Sequence, residues 1–471
     1  AWDSHQGVTS ANIVGKVKQS SFLFNTYVVH TYHRPITPTI VLLNFYAPWG
    51  TLSVGDISPT LTPLSMDGQG MRGVSFDRTR GNLSLTALIG RIVAPVQPGG
   101  SSGGQYARYS GGFKAGWQFT PELKVAADAV ISRDDEHSIT ISTTALTVKP
   151  QETLVYGLNA EWKFLGVFAL NSDYQMSGYK ADMNAAGPAV AGSAWKQELK
   201  YRGTLVTART AVSRIDPKFY SFASPSVISD RQVLDGEINL FPADWTTFTV
   251  GFNNYTDNLA GDPSKTTTQQ TQTTLGNMLR VKGGTVINTS LMTNAAKGKP
   301  ADVQNNQTTT MNLSVTQPVG PHTLSAGIQQ SSFKDKTGLS HDLDTSLLSL
   351  NGSFRLSRKV SMSVGMVNSS SKDKVDSTTG TNSSLTGNIS YAMPRRAMAL
   401  QLWATMSSNK NDSLLSPADS SSVSVNVETV WVKSQSSRFT FGVGGSSRKD
   451  KLNPGNDASE INILTRYNYS F

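Results

Sequence analysis

Apolar and polar side chains alternate residue by residue through long stretches of this chain. That two-residue period limits the possible folds more than any other feature. In residues 423–431, Val423, Val425, Val427, Thr429 and Trp431 share one parity, while Ser424, Asn426, Glu428 and Val430 take the other. Residues 154–164 set Leu154, Tyr156, Leu158, Ala160, Trp162 and Phe164 against Val155, Gly157, Asn159, Glu161 and Lys163. The same pattern runs through 348–356 and 398–406. Successive strand side chains point to opposite faces, so each stretch is a strand with one apolar and one wet face.

Turn spacing narrows the choice further. Short turn signals fall near residues 165, 202, 242, 283, 319, 357, 395 and 435. Between them lie polar loops that echo one another: residues 331–336 (SSFKDK), 370–374 (SSKDK), 407–412 (SSNKND) and 446–451 (SSRKDK). The repeating unit is therefore a β-hairpin with one tight turn and one longer loop. A propeller blade has a similar repeat length but must fit four short strands into it, and stretches of about 9 to 15 residues leave room for two. Turns near 47, 80 and 120 extend the pattern toward the N-terminus. The expected fold is all-β: a closed antiparallel up-and-down transmembrane β-barrel of about 24 strands, range 22–26, with both chain ends on the short-turn side. Residues 1–19 are expected to form an N-terminal periplasmic segment and residues 20–471 the barrel. A start at Ala1-Trp2-Asp3 fits cleavage of an export signal after a small residue.

The end of the chain is the most specific motif. Ile461, Ile463, Thr465, Tyr467, Tyr469 and Phe471 alternate with Glu460, Asn462, Leu464, Arg466, Asn468 and Ser470. This resembles the C-terminal strand of bacterial outer-membrane β-barrel proteins. The resemblance implies a bacterial outer-membrane location and recognition of the aromatic end by the barrel-assembly machinery. Trp162, Phe241 and Trp431, beside short turns, join Tyr467, Tyr469 and Phe471 as the expected periplasmic aromatic girdle and assembly signal.

Composition excludes several alternatives. Only 16% of the residues are charged, and there is no cysteine. This removes disulfides, thiolate metal sites and c-type haem attachment from the chain. The densest apolar run, residues 40–43, is far shorter than the ~18 residues a transmembrane helix needs. Residues 99–104 are glycine-rich but lack the Lys-Ser/Thr of a P-loop. His30 and His33 stand three apart on a strand and so on opposite faces. Asp342, Asp344, Asp373 and Asp376 are loop acids that could ligate calcium, although solvated aspartates are the commoner reading. No catalytic constellation, cofactor site or nucleic-acid motif emerges, and the chain is read as a non-enzyme without a cofactor of its own.

The inward face is expected to carry Lys124, Asp128, Glu161, Lys163, Asp173, Asp235, Glu237, Arg355, Glu428, Glu460 and Arg466, of mixed sign. A barrel of 24 strands has a backbone diameter of roughly 45–50 Å. Loops of modest length do not fill that opening. Two readings follow. The favoured one is a conduit enclosing or docking a partner protein, such as a plug, a lipoprotein or, in a porin–cytochrome conduit, a multihaem cytochrome. The other is a general diffusion porin whose residues 57–70 or 93–104 fold inward. A structural, surface-anchoring barrel is a third class. The formal net charge of +9 sits partly at short turns (Arg358, Lys359, Arg395, Arg396) and partly in loops, whose lysines foremost keep those loops solvated and could also bind lipopolysaccharide; outer-membrane lipid and lipopolysaccharide are the expected neighbours.

Overall fold

The computed structural model describes residues 6–31, 37–99, 103–140, 148–394, 397–413, 417–434 and 437–469. Among them are 25 strands in one sheet. The first group is β1 (Gln6–Val17), β2 (Ser20–Thr31), β3 (Thr37–Ala47), β4 (Gly50–Ile57), β5 (Met71–Arg80) and β6 (Leu83–Val93). Next come β7 (Ala107–Gln118), β8 (Leu123–Asp135), β9 (Glu152–Phe164), β10 (Phe168–Lys180), β11 (Val190–Arg202), β12 (Val206–Ile215) and β13 (Arg231–Ala243). They continue as β14 (Thr246–Asp257), β15 (Thr267–Arg280), β16 (Val286–Lys299), β17 (Asn305–Val319), β18 (His322–Asp335) and β19 (Leu343–Arg355). The last are β20 (Val360–Asp373), β21 (Thr379–Met393), β22 (Met398–Asn411), β23 (Ala418–Ser434), β24 (Ser437–Asp450) and β25 (Ala458–Tyr469). Each pairs antiparallel with its sequence neighbour, so the sheet is an up-and-down meander curled into a nearly closed barrel.

The strand count corrects one boundary. Residues 6–17, expected within a periplasmic segment, form β1 and pair with β2 along their whole length, from Gln6↔Thr31 to Val17↔Ser20. The expected boundary at residue 20 falls at a hairpin turn inside the barrel. An odd number of alternating strands also puts the start of β1 and the end of β25 at opposite rims, where an even count had put them on one. β1 and β25 therefore run in the same direction. They touch, but among the described residues no hydrogen-bonded ladder joins them.

The hairpins form where the sequence supplies the turn chemistry. At the β9–β10 turn Leu165 and Gly166 take positive φ of 52° and 69°, the pair of left-handed residues that matches strand twist. The lysine-rich loop echoes mark the opposite ends of β18, β20, β22 and β24.

Register separates the two faces. Ile89, Phe113, Ile131, Leu154, Leu158, Tyr174 and Leu234 are exposed large apolar side chains that the register places on one face of the sheet. Leu88, Val130 and Val155, on the opposite face, are buried. From β1 to β25 each ladder satisfies backbone polar groups within the sheet, as a hydrocarbon surrounding demands, and only the facing edges of β1 and β25 have no ladder among the described residues. On the outer face at the short-turn rim, aromatic rings run in series. Trp162–Phe164, Phe164–Phe168 and Phe168–Tyr201 have centroid distances of 4.7, 5.2 and 5.0 Å.

Candidate functional site: a lumen filled on one side

The inner face of β4–β13 is covered by two of the chain's own loops. Residues 58–70, between β4 and β5, carry Leu61, Leu64 and Met66 onto the wall. There Leu61 and Met66 pack with Ile57, Met71, Leu88, Val130 and Ala223. Residues 216–230, between β12 and β13, bring Phe219 against Leu64, Val155, Ala194 and Ile215. Met66 and Phe219 are 0% and 1% exposed. Burial of this extent contributes roughly 2–3 kcal/mol per large side chain.

Polar bonds join the loops to each other and to the strands. Ser221 and Ser224 donate from Oγ to the carbonyls of Ser65 and Pro63, at 2.8 and 2.7 Å. Lys114 donates from Nζ to the Leu61 carbonyl at 2.7 Å. The Tyr220 N–H donates to Ser177 Oγ at 3.2 Å. The Arg108 guanidinium lies 3.6 Å from the centroid of the Phe222 ring and is held by Asp134 at 2.6 Å. Gly192 makes the second loop's approach possible, since a Cβ there would lie 2.4 Å from the backbone of Lys218 and Phe219. In 93–104, the other segment named for inward folding, residues 100–102 lie outside the described residues, and Gln97 reaches the segment that follows β8. Gln97 bonds the Ser138 carbonyl and the Thr140 N–H at 3.2 and 3.0 Å.

The eleven charged residues named from sequence all carry the parity opposite the exposed apolar register. The structure treats them unequally. Asp128 and Asp173 are buried beneath loop 58–70, joined through Gln175. Asp235 pairs with Arg209, which also bonds Glu198, while Lys200 bonds Glu198 at 2.7 Å. Asn171 adds a bond to Glu198 at 3.0 Å. Glu237 accepts from Asn239 Nδ2 at 2.7 Å. Lys124, Glu161, Lys163, Arg355, Glu428, Glu460 and Arg466 lie apart from these networks on β8, β9, β19, β23 and β25. Sequence reading missed Lys114, Gln175, Glu198, Lys200 and Arg209. The alternation that placed their neighbours inward applies to each of them equally.

Among the aromatic residues, Trp162, Trp431 and Tyr467 are exposed on the outer register, and Trp431 pairs with Phe439. Phe241 is half-buried at a β-bulge in β13 and lies off that register; the exposed aromatic at its turn is Trp245. Tyr469 ends β25, and Phe471 lies outside the described residues. His33 is also outside them.

The loop acids fall into different roles. His341 Nδ1 lies 2.7 Å from Asp373 and 3.5 Å from Asp376. The hydrogen bond to Asp373 raises the His341 pKa above its ordinary value. Asp342 accepts the Asp335 N–H at 2.8 Å, and Asp344 pairs with Lys374 at 2.9 Å. On another loop, the bond from Lys149 holds the Asp182 carboxyl below the usual range.

On β14–β25 the inner wall is different. Its register rows read Ser363, Asn388, Trp403, Asn426 and Gly444, and then Thr386, Thr405, Ser424 and Ser446. Hydroxyls pair across strands, as in Ser407 with Ser422 at 2.7 Å. Neither buried apolar cluster reaches this wall. β1–β3 present a third surface. Val14, Tyr27, Ile40 and Tyr46 share the inner register with Leu42, which packs on the plug, yet all four remain exposed.

No protein-family model matches the chain, and no curated protein does. Solved structures match by fold. The E. coli P pilus tip assembly intermediate PapC-PapD-PapK-PapG aligns over 92% of this chain and 61% of that one, at 11% identity and a TM-score of 0.54. The P pilus usher (PapC) translocation pore covers 86% of this chain and 92% of that one, at 12% identity and a TM-score of 0.48. The copper transporter OprC covers 98% and 79%, at 10% identity and 0.46. The chain has the fold of outer-membrane β-barrel proteins.

Proposed function

We propose that this protein resides in the bacterial outer membrane as a wide, non-enzymatic conduit, and that a partner protein occupies or docks in the part of the lumen its own loops leave uncovered. One observation carries the reading: β4–β13 are lined by packed loops, whereas the Ser/Thr/Asn wall of β14–β25 is not. A barrel of this strand number is about 50 Å across between backbones. Loops confined to one sector leave much of that width to another molecule. The exposed apolar side chains on the inner register of β1–β3 support the same reading, since such a surface gives a protein partner something to grip. So does the fold likeness to the pilus assembly intermediate, in which PapC is found together with PapD, PapK and PapG. The outer girdle, the aromatic C-terminal strand and the lysine-bearing loops fit assembly by the barrel machinery and contact with lipid and lipopolysaccharide.

The test places a photo-crosslinking residue at Trp403 or Tyr27 and isolates the protein from its native membrane. A stoichiometric adduct with one protein supports the conduit, and co-purifying haem absorbance makes the partner a cytochrome. A lone barrel with large single-channel conductance overturns it. The inward fold of residues 58–70 favours a second reading, a diffusion pore constricted by its own loop. Size-limited sugar flux into liposomes distinguishes that case.

A further inference from the structure

Three buried oxygens beneath loop 58–70 accept no hydrogen bond: Asp128 Oδ2, Asp173 Oδ2 and Gln175 Oε1. Their residues are 5%, 7% and 0% exposed. They form one cluster, because Gln175 Nε2 donates to Asp128 Oδ1 at 2.9 Å and to Asp173 Oδ1 at 2.8 Å. With Thr62 Oγ1 at 3.4 Å, three acceptors share the two amide hydrogens, and the carboxamide oxygen and one oxygen of each carboxylate are left. Gly157, between β8 and β10, makes the room: a Cβ there would lie 2.5 Å from Gln175 Oε1.

Donors of loop 58–70 lie close by without reaching these three atoms. The Thr62 and Ser65 hydroxyls lie 2.9 Å apart, with either able to donate, and Thr62 Oγ1 also accepts the Ser65 N–H at 3.1 Å. Thr62 and the Leu64 N–H flank the Asp173 carboxylate, but neither is in hydrogen-bonding geometry with Oδ2. Lys114 stands opposite Asp128 in the β7–β8 ladder and gives its ammonium to the Leu61 carbonyl. Neither carboxylate makes a salt bridge among the described residues.

Three buried oxygens of one side-chain cluster thus accept no hydrogen bond among the described residues. Burying uncompensated carboxylates is costly. A shared proton supplies a single hydrogen. A water supplies two and no charge. A hard divalent cation neutralises both carboxylates and takes oxygen ligands alone, and a side-chain amide oxygen is among the ligands calcium accepts. We propose that Asp128, Asp173 and Gln175 form a site for a hard divalent cation of the calcium class, with water completing the shell. The ion would stiffen the wall on which loop 58–70 sits, next to Thr62, which lies 3.4 Å from Gln175 Nε2. The inference is independent of what occupies the rest of the lumen.

The experiment is calorimetric titration of calcium chloride into the full-length barrel, stripped with EDTA and folded in detergent without any partner. Folding is verified by heat-modifiable gel mobility. The wild type and an H341A/D373N variant, which removes the exposed loop cluster, are expected to bind one calcium each. D128N/D173N is expected to lose that site. D173N alone, which keeps one carboxylate and serves if the double variant does not fold, is expected to weaken binding about tenfold or more. No saturable site in the wild type, or unchanged binding in D173N, overturns the proposal. Because no partner is present, either result leaves the conduit reading to its own test.

Discussion

The sector β4–β13 and the sector β14–β25 are built from the same hairpin, yet only the first has an interior. In the first, two loops bring Leu61, Leu64, Met66 and Phe219 onto the wall, and inner-face charges such as Asp128 and Arg209 are paired or covered. In the second, serine, threonine and asparagine rows face inward, and no described residue of the lysine-bearing loops joins either buried apolar cluster. The difference lies in loop composition more than in strand design. A strand needs only alternation to hold its place, whereas a lumen is filled only by segments that carry apolar side chains of their own.

The largest expected effect comes from removing the filler. Replacing residues 58–70 with a short Gly/Ser linker is expected to raise single-channel conductance several-fold in planar bilayers. Shortening the β20–β21 loop, in the other sector, is expected to leave conductance unchanged. Equal effects from both would erase the contrast.

Next is a single core position. Met66→Ala is expected to destabilise the barrel by about 2–5 kcal/mol. Ser424→Ala, on the open wall, is expected to stay within about 0.5 kcal/mol. Urea unfolding followed by tryptophan fluorescence in lipid vesicles measures both. Gly192→Val should fall between them, at about 1–3 kcal/mol, as its side chain drives residues 216–230 off β11. Faster proteolysis within that loop is the accompanying sign.

The smallest effect concerns pH. Hydrogen bonding to Asp373 raises the His341 pKa, so the folded state binds this proton more tightly than the unfolded chain does. The contribution of the pair is therefore complete below the ordinary histidine value of about 6.5 and is lost as pH rises through the raised folded value. Amide exchange in residues 336–342 should quicken over that interval. His341→Ala should abolish the pH dependence. Slower exchange with rising pH, after correction for the intrinsic rate, would show the sign to be wrong.

Much of the barrel was legible because its information is local. Alternation in residues 154–164 and 423–431 assigns both faces of β9 and β23 without reference to any other strand. β1 was missed because apolar side chains occur on both its parities, as Val8 and Val14 and as Ile13 and Val17. The plug was only half legible. Residues 57–70 stand out as a long irregular stretch, and Leu61, Leu64 and Met66 within it are the sign of a loop that packs. Residues 216–230 carry the same sign in Phe219, Tyr220 and Phe222 and went unread. What they pack against is not local: Thr62 meets Gln175 across 113 residues of sequence, and Ser224 meets Pro63 across 161. No period in the chain encodes such a meeting.

The codirectional first and last strands have a consequence for the whole wall. An antiparallel ladder fixes which residue faces which, but contact without a ladder fixes only proximity. At this meridian the two strands lie side by side with no ladder among the described residues. Register is therefore fixed along every hairpin and left unfixed at that one seam.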